Sequence, residues 1–515
     1  MKLPPSPTRR VLVAYGSESG TARSLAARLA AHPALAAHAP QLRALNDVDP
    51  GALGPGDLLL VLSSSFGDGE PPANAERFHE TLRSVPSLHG LRYAIFGLGD
   101  TGYPRFCGFT RELDTLLGER GAQPILSRVD ADAGHEAFFA RWLPVLAEVL
   151  AGNTAAAEGL HLQVTAYAQD NAFAAEVLEC RRLNQGGAGA WHVRLDLRGS
   201  GMRYQAGDTL YVLPHNDPLL LQGLADWYGE PEASALLADR ELRLLGRPVL
   251  RDIARLSGND GLKALLRTSQ KAALDAALQG SDVLDVLQAY ASPQTIPLQR
   301  LVALLPACLP RAYSIASHGS DDHVELCVRE VRYQHRGRER RGAATATLLD
   351  AAQVRVYCRS NPGFHLPHDD TAPLLLIGTG TGIAPLRGLL QALHAGPRRE
   401  THLMFGEKHR AHDYLYREEL EHWQACGTLA SLRTAFSRDG MQKHYVQHVM
   451  RDDAEGVRSL LRRGAHLYVC GNKAHLDGAL REAVDGLCGD GGDAAEVSLS
   501  WQGLQAQGRL HCELY

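Results

Sequence analysis

Three short apolar runs, at residues 11–15, 58–62 and 93–96, each stop abruptly at a loop rich in glycine and hydroxyl side chains. An apolar run this short, bounded by turn residues, is a buried strand. The first is followed by an amphipathic stretch from about residue 23 to 31, so strand and helix alternate. That alternation builds a parallel sheet with helices on both faces, and the loops leaving its strands then line one crevice. The first loop, Ser17-Glu18-Ser19-Gly20-Thr21-Ala22, opens a helix and offers free N–H groups to a terminal phosphate. No Gly-Lys-Ser/Thr follows, so it is not a nucleotide P-loop. A capping turn without ligand fits the same residues. The second loop holds Ser64, Ser65, Phe66 and Gly67; the third holds Leu98, Gly99, Asp100, Tyr103, Phe106 and Cys107. Phe66 and Tyr103 suit the two faces of a planar ring, with glycines admitting the backbone close to it.

A chain of 515 residues has room for about three domains. A small, polar stretch after residue 150 reads as a hinge, giving a first domain at 1–150 and a linker at 151–159. From 160 the pattern changes to short alternating strands, which predicts a β-barrel over 160–370. Leucine-rich helical periodicity at about 217–305 reads as an insertion in that barrel. Just beyond it comes Arg311-Ala312-Tyr313-Ser314-Ile315-Ala316-Ser317. On a strand, Arg311 and Tyr313 share one face and Ser314 takes the other. A guanidinium suits a pyrophosphate, a phenol a ring face and a hydroxyl a ring nitrogen, which together make a flavin grip. An ordinary amphipathic strand fits the heptapeptide as well. The last part, 371–515, returns to α/β texture. A strand there runs into Gly380, Thr381 and Gly382 ahead of a helix, an arrangement for a dinucleotide pyrophosphate. Ser437, Arg438, Lys443, Tyr445 and Gln447 combine two cations with a hydroxyl and a phenol. They suit a 2′-phosphate beside a purine, so NADPH is expected over NADH.

Composition narrows the function class. A net charge of −5 argues against a nucleic-acid partner. The nine cysteines are scattered and never spaced C-x-x-C, which points to reduced thiols in a cytoplasm, with no disulfide framework and no metal site. No run reaches the roughly 18 apolar residues of a membrane span, so no membrane anchor is expected. Residues 1–10 lack the apolar core of a signal peptide.

The three N-terminal loops resemble the FMN site of flavodoxins, and more closely the flavodoxin-like domain of diflavin reductases. Leu98-Gly99-Asp100-Thr101 with Tyr103, Phe106-Cys107 and Arg128-Val129-Asp130-Ala131-Asp132 is most similar to the flavoprotein component of NADPH–sulfite reductases. Phe66 departs from that pattern toward the aromatic of microsomal NADPH–haemoprotein reductases. The resemblance implies a flavodoxin-like domain, then a ferredoxin–NADP reductase-like FAD barrel with its helical connecting insertion, then an NADP-binding α/β domain. It implies FMN, FAD and NADPH as cofactors. It assigns Arg311, Ala312, Tyr313 and Ser314 to FAD, with Cys327-Val328-Arg329 and Tyr333 on a second FAD-contacting strand. Gly342-Ala343-Ala344-Thr345 becomes a second pyrophosphate cradle. The basic run 332–341, between these stretches, reads by its charge as a solvated hairpin tip. Ser314, Cys470, Glu513 and Tyr515 become the catalytic set: Cys470 beside the nicotinamide, Tyr515 over the FAD, and Glu513 facing the nicotinamide where relatives carry Asp. The implied activity is NADPH-dependent reduction of a haemoprotein or other one-electron acceptor, first the haemoprotein component of sulfite reductase. A general NADPH–haemoprotein reductase and a flavodoxin-type carrier are the alternatives. The N-terminal extension that precedes the flavodoxin domain in bacterial sulfite reductase flavoproteins is not expected in this chain.

Overall fold

The computed structural model describes residues 10–36, 38–66, 69–101, 103, 105–132, 135–158, 160, 162–163, 166–320, 322–367, 369–487 and 498–515. They form two compact units. The first runs to Ala168 and takes in Gly199–Tyr204 and Cys358–Ser360; the second is the remainder.

In the first unit, β1 (Arg10–Gly16), β2 (Gln41–Ala44), β3 (Asp57–Ser64), β4 (Arg92–Leu98) and β5 (Gln123–Pro124) lie in the order β2-β1-β3-β4-β5, and β6 (Val129–Ala131) pairs with β4. Every pairing is parallel. Side chains alternate faces along a strand, so one apolar run supplies two cores. Val11, Val13, Leu58, Leu60, Leu62, Ala94 and Phe96 pack under the helices Thr21–Ala30 and His135–Leu150. Leu12, Ala14, Leu59, Val61, Tyr93 and Ile95 pack under Glu76–Ser84 and Gly108–Glu119. This is the doubly wound fold expected from the runs. Thr154–Ala157 forms a short 3-10 turn, Leu162 is buried in the first core, and Asp130 N–H donates to Leu162 O (3.0 Å). The small residues that read as a hinge leave the apolar ones after them to pack back, so the unit continues to Ala168.

The second unit holds an antiparallel sheet of β7 (Phe173–Arg182), β8 (Ala190–Asp196), β9 (Thr209–Leu213), β10 (Arg311–Ser314), β11 (His323–Arg329) and β14 (Gln353–Arg359), ordered β10-β9-β14-β7-β8-β11. Its two edges approach each other just past β10, where Ile315 bridges Leu326 and Ala316 N–H donates to Glu325 O (2.7 Å). The chain between the paired strands β9 and β10 forms a series of helices, from Pro218–Tyr228 to Leu298–Leu304, around their own leucine core. A small hairpin joins β12 (Arg332–His335) to β13 (Arg338–Arg341) through Arg336 and Gly337, both at positive φ.

The turn of this hairpin, Arg336 and Gly337, is exposed, but its second strand is tied down. Arg340 is buried, and it and Arg338 ion-pair with Asp282 and Asp285 of the helical insertion. The last sheet is parallel: β15 (Leu374–Thr379), β16 (Thr401–Glu407), β17 (Ser431–Phe436), β18 (His466–Gly471) and β19 (Leu510–Leu514), ordered β17-β16-β15-β18-β19. Leu374, Leu376, Leu403, Phe405 and Tyr468 share one core with Ala316, Cys327 and Phe364, so the barrel strands and the parallel sheet pack as one body. The tail is an edge strand, with Cys470 opposite Glu513.

Candidate flavin and nicotinamide sites

The first unit gathers its loops at the C-terminal ends of β1, β3 and β4. Gly20, at φ 89°, turns the chain into the helix Thr21–Ala30, and its N–H donates to Ser17 Oγ (3.0 Å). Ser17 N–H donates to Asn74 Oδ1 (2.9 Å), and Glu18 Oε1 accepts from Ala73 N–H (2.6 Å). Ser19 and Thr21 hydroxyls lie 3.2 Å apart. Among the described residues, the N–H groups of Glu18, Ser19, Thr21 and Ala22 have no acceptor. Four unused donors at a helix start fit a phosphate. Asn74 and Ala73, which hold this turn from 57 and 55 residues away, carried no signal in the sequence.

Ser64 Oγ bonds Gly16 O (3.4 Å) and Ser65 Oγ accepts from Phe109 N–H (3.2 Å), so both hydroxyls pin backbone. Phe66 pairs with Glu70 in a tight bridge and stands 58% exposed, so its ring is open to a planar ligand. Gly67, assigned to the same site, and its neighbour Asp68 lie outside the described residues. A Cβ at Gly99 would come within 2.8 Å of Cys107 N and Phe106 Cδ2, so this loop requires glycine. Asp100 is exposed and Tyr103 half-buried. Ala22, Leu98, Phe106 and Cys107 are buried and form the packed floor under these loops. These residues fit FMN.

In the second unit, residues far apart in sequence meet. Ser314 Oγ–H donates to Glu513 Oε1 (2.7 Å), and Cys470 lies beside Glu513 across the β18–β19 pairing. Burial pushes the Glu513 carboxyl above its ordinary range, and the Ser314 hydrogen bond only partly offsets it. Burial, then the Glu513 charge, pushes the Cys470 thiol well up. Glu513 Oε2 is buried with no hydrogen-bond partner, which marks a place where a polar ligand group belongs. Tyr515 closes the chain: its N–H donates to Gly471 O (3.2 Å), its backbone oxygen accepts from Lys473 N–H (2.8 Å), and its hydroxyl meets Thr381 Oγ1 (2.9 Å). The residue as a whole remains 58% exposed.

At β10, Ala312 points outward while Arg311 and Tyr313 are half-buried, as the alternation required. Arg311 is gripped by Glu241 of the helical insertion (3.0 Å), a buried carboxylate that also accepts from the N–H groups of Arg243, Leu244 and Leu309. Nothing in the sequence marked Glu241. Gly342 caps the helix Ala343–Asp350, and among the described residues the N–H groups of Ala343, Ala344 and Thr345 have no acceptor. A Cβ on Gly342 would come within 2.8 Å of Val331 Cβ. These features, with the unsatisfied Glu513 oxygen, fit FAD.

Two placements differ from expectation. Cys327 and Val328 are core residues of β11, but Tyr333 is not beside them. It sits on the separate hairpin, its hydroxyl donating to Gly280 O (3.3 Å), because β11 ends at Arg329. Arg329 lines a cavity of about 740 Å³.

That cavity also gathers Gly380, Thr381, Ser437, Arg438, Lys443, Tyr445, Gln447 and Tyr515. Arg438, Lys443 and the unanticipated Lys408 make no ion pair among the described residues. Gly382 stands behind the turn, where a Cβ would lie 2.2 Å from Cys470 O. Three unpaired cations around a glycine turn at a helix start fit a phosphorylated dinucleotide.

The fold and these sites define a flavin- and NADPH-dependent oxidoreductase. The flavodoxin family profile matches residues 13–142 and the oxidoreductase NAD-binding domain profile matches residues 376–480. The sulfite reductase (NADPH) flavoprotein alpha-component of Bacillus subtilis is 35% identical over 504 residues, covering 92% of this chain and 83% of its own. Those of Neisseria meningitidis serogroup A and Vibrio cholerae are 33% and 32% identical, each over 92% of this chain and 84% and 82% of their own. The chain belongs to the sulfite reductase (NADPH) flavoprotein alpha-component family.

Proposed function

We propose that the chain delivers electrons from NADPH to the haemoprotein component of a sulfite reductase, in the cytoplasm. The observation that carries this reading is the convergence of Ser314, Cys470 and Glu513 beside a cavity lined by unpaired cations. FAD, held by Arg311, Tyr313 and Ser314, would supply hydride acceptance, and FMN, held by the loops after β1, β3 and β4, would supply single-electron transfer. The Ser314 hydroxyl, oriented by Glu513, supplies a polar contact where hydride leaves and arrives. The Glu513 carboxylate stabilises the positive charge of the oxidised nicotinamide. Cys470 walls the site on the parallel-sheet side, and Tyr515, tethered at Thr381, excludes water until NADPH displaces it. Arg438 and Lys443 select the 2′-phosphate. Among the described residues no helix is long and apolar enough to cross a membrane.

The test is purification and flavin counting, then anaerobic NADPH addition. One FAD and one FMN per chain, both bleached by NADPH, are expected. Sulfide production with a sulfite reductase haemoprotein component supports the acceptor. Reduction of a generic cytochrome without sulfide production favours the haemoprotein-reductase reading that Phe66 suggests. FMN alone, without NADPH bleaching, refutes both.

A further inference from the structure

Among the described side chains that line the nicotinamide cavity, the acidic one is Glu407. Glu407, the last residue of β16, lines the cavity with Arg329 and pairs with it. Glu407 Oε2 also accepts from the Lys408 N–H (2.7 Å), so the carboxylate cannot easily turn away. Arg329 is anchored on its other side, donating to Ala188 O (3.1 Å). The pair lies over the glycine turn: the Cβ position of Gly380, at φ 57°, is 3.6 Å from both Arg329 Nη2 and Glu407 Oε1. That turn opens the helix Ile383–Ala395, which is where a dinucleotide pyrophosphate is drawn.

A fixed carboxylate there repels a pyrophosphate, and a guanidinium there attracts one. The two cancel while they are paired. We propose that Arg329 is a pyrophosphate-binding residue of the NADPH site, not of the FAD site, and that Glu407 holds it in exchange: dinucleotide binding breaks the Arg329–Glu407 pair and transfers the guanidinium to the phosphates. The proposal deepens the NADPH-cavity reading and rests on it. Glu407 is then a brake on affinity. It lowers the grip on both NADPH and NADP⁺, which favours release of the oxidised product. The protein thereby keeps an orienting cation in place without leaving it uncompensated in a half-buried wall.

The test is calorimetric binding of NADP⁺ and of 2′-AMP to the full-length holoprotein. 2′-AMP carries the 2′-phosphate and no pyrophosphate, so it reports the Arg438–Lys443 end alone. Glu407→Gln should tighten NADP⁺ about tenfold, on the order of 1.4 kcal/mol, and leave 2′-AMP unchanged. Arg329→Gln should weaken NADP⁺ by more than tenfold, because it removes the cation and exposes the carboxylate. The double variant Arg329→Gln with Glu407→Gln should recover much of that loss. Flavin content measured alongside confirms an intact fold. Unchanged or weaker NADP⁺ binding in Glu407→Gln overturns the exchange, as does an equal change in 2′-AMP. Loss of FAD in Arg329→Gln, with NADP⁺ binding retained, returns Arg329 to the flavin. Should Arg438→Ala leave both ligands unaffected, the assignment of the cavity to NADPH fails instead.

Discussion

Arg387 offers the sharpest test of how the flavin strand is held to the nicotinamide sheet. It lies on the helix Ile383–Ala395 and is 6% exposed. Its Nη1 donates to Ala316 O (2.7 Å), two residues past Ser314, and to Glu325 Oε2 (2.6 Å). Its Nε and Nη2 fork onto Glu419 (2.8 and 3.2 Å), and its guanidinium lies 4.7 Å from the Tyr416 ring centre. Burial would raise the pKa of Glu325, but the charge and hydrogen bond of Arg387, with help from Arg194, hold it at about 2. An ordinary value of 4.5 makes this a stabilisation of about 3 kcal/mol, present above pH 4.5 and lost as pH falls toward 2. Arg387→Met strands Glu325 with Arg194, whose side chain is 40% exposed. The expected cost is about 3–5 kcal/mol, the range for breaking a buried pair from one side. Guanidinium unfolding followed by tryptophan fluorescence reads the loss, with the midpoint tracked from pH 7 down to pH 3. The variant should lose the Glu325 share of the acid-dependent stability, while other depressed carboxylates such as Asp285 and Glu400 keep theirs. Adding Glu325→Gln should restore roughly 2 kcal/mol by removing the stranded charge. A single-variant cost below about 1 kcal/mol, or a double variant no more stable than Arg387→Met, refutes the reasoning.

Arg438→Ala should raise the KM for NADPH by about 10- to 100-fold and leave NADH nearly unchanged, from loss of a charge-assisted contact of roughly 1.5–3 kcal/mol. Equal losses with both nucleotides, in steady-state kinetics, reject a 2′-phosphate role. Phe66→Ala removes an exposed ring worth about 1 kcal/mol or more in stacking, so FMN should dissociate more readily while FAD stays bound. Released flavins separated by chromatography give the answer, and parallel loss of both contradicts it. Glu513 has a folded pKa raised by burial, so its ionised form, required in the proposed mechanism, is populated only above its ordinary range. Turnover should therefore rise with pH through a pKa above 4.5. Glu513→Gln should lower kcat and flatten that acid limb, and an unaltered limb assigns the titration elsewhere.

The doubly wound fold was readable in the sequence because its signals are contiguous. An apolar run of five residues serves two cores by alternation alone, and the turn at Ser17–Thr21 carries its glycine and hydroxyls in one stretch. Arg311, Tyr313 and Ser314 likewise lie together on one strand, β10, as their spacing reads. What escaped depends on which strands become neighbours. Glu241 reaches Arg311 across 70 residues, and Ser314 reaches Glu513 across 199. The sequence could place Arg329 on a strand but could not say that the strand ends beside β16, where Glu407 claims it. Nor could it tell that Arg338 and Arg340 face two buried aspartates instead of water, because charge is local and its partner is not. The identity of each phosphate cradle is thus a property of short segments. The pairing of charges around it, and so which cofactor each cation serves, is decided by sheet order and by the desolvation that comes only with the folded chain.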